Sequence, residues 1–414
     1  MQRSKSMTLV SLLVLVAILA AACAPAAAPA PQVVKETVVA KETVVVPGAT
    51  TVVQVVVTPT ADPNAAQPLP EGSVQLNGAG ATFPDPVYTE WRFAYPYVDP
   101  SVTINYQAIG SGGGKKAIAD GTVDFAGSDS LLKDEEYAAT PGLQMFPTVA
   151  GAIVPIFNLA PEVTTTLVLD GPTLVGIYSG KITKWNDPAI KALNPDANLP
   201  DKGITAVHRS DGSGTTEAFT KYLAAVSEEW KASPGAGSAI EWPVDKAGNG
   251  VGGKGNAGVA AAVQNTPYSL GYAELSYAVA NKIAFAQMVN AAGKTVKANA
   301  DSLAAAMADF GDKFSDKLVI DRISNGTGEK SWPISAYTYL ITKLDQKSDA
   351  QLGCAKTEKF LNFVHWALTD AGAAKRASDL GYATLPEGVR AKVFETLAKV
   401  TCDGKPVNSD ITMK

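Results

Sequence analysis

The 414-residue chain is poor in the side chains that build catalytic metal centres. It has two histidines, His208 and His365, and three cysteines, Cys23, Cys354 and Cys402. Neither an H-E-x-x-H nor a C-x-x-C spacing occurs, so no zinc site or redox dithiol is encoded and no cofactor is called for. A basic excess is also missing: the formal charge of −5 argues against nucleic acid or anionic lipid as the main partner, since both reward surplus Lys and Arg. No apolar run reaches the roughly 20 residues of a membrane span. Aromatic residues are sparse at 7%, and the stretch from Ala24 to about Gly72 has none. What remains, 46% hydrophobic and 18% charged over this length, is the composition of a globular protein large enough for two lobes with real cores.

At the start of the chain Arg3 and Lys5 precede an apolar run from Leu9 to Leu19, broken by Ser11. This is the basic n-region and short h-region of a secretory signal over residues 1–22. The run ends in Leu19-Ala20-Ala21-Ala22-Cys23, which resembles the lipobox of bacterial lipoproteins, with Leu19 one position further from the cysteine than usual. That resemblance implies acylation of Cys23. Cys354 and Cys402 are then left as a candidate disulfide pair in an oxidising compartment, with two separate thiols as the alternative. Residues 23–72, rich in Val, Thr and Pro and carrying the near-repeat of Lys35–Val39 in Lys41–Val45, read as a disordered tether, because they lack the large side chains a core needs.

From Ser73 onward the pattern is α/β. Residues 73–77, 102–106, 123–127 and 204–208 read as strands, and each runs into small or polar residues. A helix is expected from Pro84 or Pro86, another from Lys115 after a turn at 110–114, and a third carrying Phe219, Tyr222, Leu223 and Val226 at i, i+3, i+4, i+7. In open α/β sheets ligands bind at the carboxyl ends of strands, where helix N-termini present unpaired N–H groups.

The most concentrated chemistry is Arg209-Ser210-Asp211-Gly212-Ser213-Gly214-Thr215-Thr216. Its hydroxyls, guanidinium and glycines suit an oxyanion, and the plain alternative is a helix cap with a glycine turn. Ser213 is not a nucleophile elbow, because Asp211 and Thr215 stand where that motif needs glycine. Residues 248–255 copy the P-loop spacing, but Gly255 replaces the required Ser or Thr and no apolar strand precedes it.

Across these segments the chain resembles the PstS family, the phosphate-binding proteins of bacterial phosphate ABC importers. The matching stretches include NGAGATFPDPVY (77–88), NYQAIGSGGG (105–114), TVDFAGSD (122–129), HRSDGSGTTEAFTKYL (208–223), GGKGNAGVAAAVQ (252–264) and SWPISAYTYL (331–340), in the family's order. The resemblance implies an α/β, type II periplasmic-binding-protein fold with two lobes, a hinge and the ligand in the cleft. Lobe I would be 73–150 plus 334–414, and lobe II 151–333. Carried over by residue, phosphate binding falls to Ala81, Thr82, Phe83, Ser111 and Asp129 from lobe I. From lobe II come Arg209, Ser213, Gly214 and Thr215, with Asp211 supporting Arg209. His208 stands where relatives often have arginine, which would leave the cleft rim less positive.

The implied function is non-enzymatic: capture of inorganic phosphate outside the cytoplasm, on a lipid-anchored protein, for delivery to the permease subunits of an ABC importer. Asp211 orients and balances Arg209, and an ionised Asp129 accepts a hydrogen bond from the protonated oxygen that phosphate has and sulfate lacks. The alternatives are a receptor for another tetrahedral oxyanion, a secreted phosphatase, and an adhesive lipoprotein relying on the Val/Thr segment.

Overall fold

A computed structural model describes residues 72–163, 165–311 and 313–412. The signal segment, Cys23 and the tether up to residue 71 lie outside the described residues. The strands that matter for the site are β1 (Val74–Gly80), β2 (Val102–Ala108), β3 (Phe125–Ser128), β4 (Leu143–Phe157), β5 (Thr205–Arg209), β6 (Gly250–Gly253), β7 (Ser269–Glu274) and β8 (Ser335–Lys343). They form the main path of one mixed sheet in the order β2-β1-β3-β8-β4-β7-β5-β6. The outer thirds are parallel: β1 pairs with β2 and β3, and β5 pairs with β6 and β7. The centre is antiparallel.

β4 is the backbone of the arrangement. Its 15 residues pair through Leu143–Ala152 with β8 and through Ile153–Phe157 with β7. A strand buried on both faces must be apolar throughout, and apart from Gln144, which is half-buried, every residue of β4 is buried. At the junction the Trp332 indole donates to Ile153 O at 3.0 Å. The scarce aromatics are concentrated in the interior: Trp91, Trp185, Trp230 and Trp332 are fully buried, and Phe219 stacks on Tyr272 at 4.2 Å.

Helices follow four of the strands directly or after a short turn: α1 (Asp85–Ala94), α2 (Ser111–Ala119), α3 (Gly214–Val226) and α4 (Gly255–Asn265). α3 buries Phe219, Tyr222 and Leu223, the positions its periodicity marks. Two local expectations fail. The helix expected from Lys115 begins at Ser111, with three glycines in its first turn. Gly114 is required there because α2 lies against the backbone of β1 and β3; a Cβ at that position would sit 2.5 Å from Gly80 Cα. Gly250–Gly253 is a strand despite lacking an apolar run, because it is the partly exposed edge of the sheet and is held by its ladder to β5.

Cys354 and Cys402 are joined in a disulfide, with Cα atoms 5.9 Å apart. It ties the start of the helix Ala355–Thr369 to a short strand, Thr401–Cys402, near the end of the chain.

Candidate functional site

Four strand-to-helix turns, after β1, β2, β5 and β6, bring their polar residues to one place, joined by the end of β3. Thr82, Ser111, Asp129, Arg209, Ser213, Thr215 and Asn256 are all buried there. The convergence is direct. Ser111 Oγ accepts from Gly214 N at 3.1 Å and from Asp129 N at 3.2 Å, and donates to Asp129 Oδ2 at 3.4 Å. Gly112 N donates to Gly212 O at 3.1 Å. Gly214 has to be glycine, because a Cβ would lie 2.5 Å from the Asp129 backbone.

Arg209 is the buried cation of the cluster. Its guanidinium reaches Asp211 twice, Nε to Oδ1 at 2.8 Å and Nη2 to Oδ2 at 2.6 Å, and Nη1 contacts Thr215 Oγ1 at 3.5 Å. Burial pushes the Asp211 carboxyl up, but the Arg209 guanidinium and the Gly255 N–H, 3.0 Å from Oδ1, outweigh it and leave the group below its ordinary value. Asp211 is therefore ionised near neutrality, and the buried guanidinium is not left as a lone charge.

Asp129 is the opposite case. Burial dominates and pushes its carboxyl up to about 7, with Thr338, Arg209 and Ser111 pulling the other way. Thr338 Oγ1 donates to Asp129 Oδ1 at 2.7 Å. The two carboxylates of the cluster thus differ in kind: one is committed to a cation, the other is poised between charged and neutral forms.

The remaining expected residues are placed as follows. Ser213 caps α3, its Oγ accepting from Thr216 N at 3.0 Å, so the capping reading of this residue is correct as far as it goes. Thr82 and Phe83 form the turn before α1, their carbonyls accepting from Tyr277 Oη and Tyr382 Oη at 2.6 Å each. Ala81 differs from expectation: its N–H donates to Gly127 O at 2.8 Å, extending the β1 ladder, so it is not turned toward the cluster. His208 is also misplaced by the sequence reading. Strand alternation sends it to the face opposite Arg209, where it stacks on Trp242 at 4.9 Å and meets Asp245 Oδ1 at 2.7 Å.

Two participants carry no sequence assignment. Thr338 belongs to the middle of β8, where alternation predicts burial and nothing more. Asn256 lies in the GGKGNAGVAAAVQ segment, and its signal was the glycine-rich turn into a helix that the other three turns share. The P-loop-like residues 250–253 are strand, and Gly255 bonds to a carboxylate, so this segment is not a nucleotide cradle.

Proteins of known family resemble this chain in sequence and in fold. Residues 48–370 match the PBP superfamily domain. The phosphate-binding protein PstS of Xylella fastidiosa (strain 9a5c) is 43% identical over 329 residues, 79% of this chain and 85% of that protein. The phosphate-binding protein PstS of Pasteurella multocida (strain Pm70) is 43% identical over 335 residues, 80% of this chain and 92% of that protein. A high-affinity periplasmic phosphate-binding protein solved with phosphate bound superposes with a TM-score of 0.60, covering 78% of this chain and 93% of that one at 21% identity. The fold is the type II periplasmic-binding-protein arrangement.

Proposed function

The chain belongs to the PstS family of phosphate-binding proteins, and from that premise we propose that the buried cluster at the strand ends captures inorganic phosphate outside the cytoplasm for an ABC importer. The observation that carries the reading is the meeting of Ser111, Asp129 and Gly214 N–H, which come from opposite sides of β4, beside a guanidinium already balanced by Asp211.

The two lobes are 73–150 with 334–414, and 151–333, and β4 passes between them near Ile153. An anion held by Thr82, Phe83 and Ser111 on one side and by Arg209, Ser213, Gly214 and Thr215 on the other closes the hinge, because contacts to both lobes are available only in the closed form. The charge is held mostly by dipoles: N–H groups at helix starts and hydroxyls, with one guanidinium. No covalent bond is made or broken in this reading, and His208, near in sequence, is engaged with Asp245. Docking on permease subunits, and anchoring through an acylated Cys23 with residues 23–72 as tether, complete the proposal. Among the described residues no helix is long and apolar enough to cross a membrane.

Asp129 supplies selectivity. Ionised, it accepts a hydrogen bond from the O–H that phosphate carries near neutrality, and it repels sulfate, which has none to give. The test is calorimetric titration of the purified protein with phosphate and with sulfate. Wild type should bind phosphate and ignore sulfate at pH 8, and discrimination should narrow as pH falls below about 7, where Asp129 becomes neutral and can donate. Asp129→Asn should bind phosphate more weakly and lose discrimination. A variant that ignores sulfate as well as wild type does would overturn the assignment.

A further inference from the structure

Asn256 has no part in the reading above, yet it is fully buried between two of the proposed ligand residues. Its orientation is fixed by chemistry. Oδ1 accepts from Glu274 N at 2.9 Å, and a backbone N–H can only donate, so the carboxamide cannot be flipped and Nδ2 must face the threonines. Nδ2 donates to Thr82 Oγ1 at 2.9 Å and to Thr215 Oγ1 at 3.1 Å. Thr82 Oγ1 also accepts from the Asn256 N–H at 3.1 Å, and Thr215 Oγ1 from Arg209 Nη1 at 3.5 Å.

A hydroxyl oxygen has two acceptor lone pairs and one hydrogen. In both threonines the acceptor capacity is taken up by groups that can only donate. The hydrogen is all that each has left to offer.

We propose that Asn256 is a positioning residue that sets the polarity of the cleft, forcing Thr82 and Thr215 to act as donors toward the bound oxyanion. This rests on the phosphate-binding reading and deepens it. Two positions around the anion then accept only unprotonated oxygens, and the ligand's proton is directed to Asp129. The cleft selects an oxyanion protonated at one place, not merely a tetrahedral one.

Asn256→Asp tests this with little change of shape. It keeps the acceptor for Glu274 N–H but replaces the donor to the threonines with a second acceptor, which turns their O–H groups away from the ligand. The affinity of full-length wild type and variant for phosphate, with sulfate in parallel, is measured by calorimetry, together with melting of the ligand-free proteins. The same substitution is made in a Thr82→Val/Thr215→Val background, where no hydroxyl can be misdirected. In the wild-type background Asn256→Asp should cost ~30-fold or more in phosphate affinity, as expected when hydrogen bonds to an anion are lost. In the valine background the cost should shrink to the repulsion between the added carboxylate and the anion, several-fold at most. Equal costs in the two backgrounds would mean that Asn256 acts only as scaffold or through charge, and would overturn the proposal. If Asn256→Asp melts far below wild type, Asn256→Ala serves in the same cycle, with a loss of about tenfold in one background and none in the other. A wild type that binds neither anion would refute the phosphate reading itself and this inference with it; one that binds phosphate with an additive cycle refutes only the inference.

Discussion

Glu274 ends β7 with no water contact, and replacing it by glutamine should change how stability depends on pH. Its Oε2 accepts from both the N–H and the hydroxyl of Ser276, the N–H at 2.9 Å, while Oε1 is buried without a partner among the described residues. Burial pushes the carboxyl up to about 8; the Ser276 bonds oppose this and the Asp129 charge adds to it. A carboxyl raised in the folded state contributes stability that is complete below its unfolded value and is lost as pH rises through the folded one. At about 1.4 kcal/mol per unit, the loss between pH 4.5 and 8 has a ceiling of about 5 kcal/mol, and structural relaxation and water entry will lower it. Glu274→Gln removes the titration but places an amide N–H₂ where Oε1 has no partner, a fixed cost of about 1–3 kcal/mol. The variant should therefore be less stable than wild type at pH 5, where little of that loss has occurred, and more stable at pH 9. Urea unfolding of phosphate-free protein followed by tryptophan fluorescence, at intervals from pH 5 to 9.5, gives both curves. A constant offset between them over that range would refute the reasoning, because it would mean that Glu274 is ionised throughout.

Asp211→Asn should lower affinity for phosphate and sulfate alike, by about tenfold, because Arg209 loses its bidentate partner; calorimetry showing changed selectivity at unchanged phosphate affinity would contradict this. Replacing both Cys354 and Cys402 by serine should destabilise the fold by up to about 4 kcal/mol, the chain-entropy value for a 48-residue separation, while leaving phosphate affinity intact. Denaturant midpoints with and without phosphate check both halves of that statement. Cys23→Ala should move the protein from the membrane to the soluble fraction without altering its affinity, as cell fractionation followed by titration would show.

What could be read from the sequence was what local chemistry dictates. The strands expected over 73–77, 102–106 and 204–208, which run on to Gly80, Ala108 and Arg209, the apolar face of α3 and the pairing of Asp211 with Arg209 follow from alternation, 3.6-residue periodicity and a two-residue spacing. Misreadings came where the tertiary environment set the outcome. The glycines of α2 look like a turn until the backbone of β1 is placed against Gly114, and Gly250–Gly253 has no strand signal because only its ladder makes it one. Ala81 was misjudged because the pairing of β1 with β3 runs on past Gly80 and takes its N–H, and His208 because a strand has two sides, and which side faces the cluster depends on register. Asn256 and Thr338 could not be recognised by spacing at all: they lie 41 and 209 residues from Thr215 and Asp129, the residues they bond.

The position of β8 bears on how the molecule is made. Residues 335–343 form a late stretch of the chain, yet they lie in the middle of the sheet, between β3 and β4. Until that strand is delivered, β3 and the first part of β4 have no neighbour on the side it fills, and each is an open hydrogen-bonding edge of largely apolar sequence. A chain made from its N-terminus therefore cannot finish this sheet when β1 to β4 emerge. It must wait, exposed, for about two hundred intervening residues, with a correspondingly high contact order and slow closure. Any truncation ending before Ser335 would leave those edges permanently open to pairing with another copy, so loss of the last fifth of the chain would appear first as aggregation, before any question of binding arises.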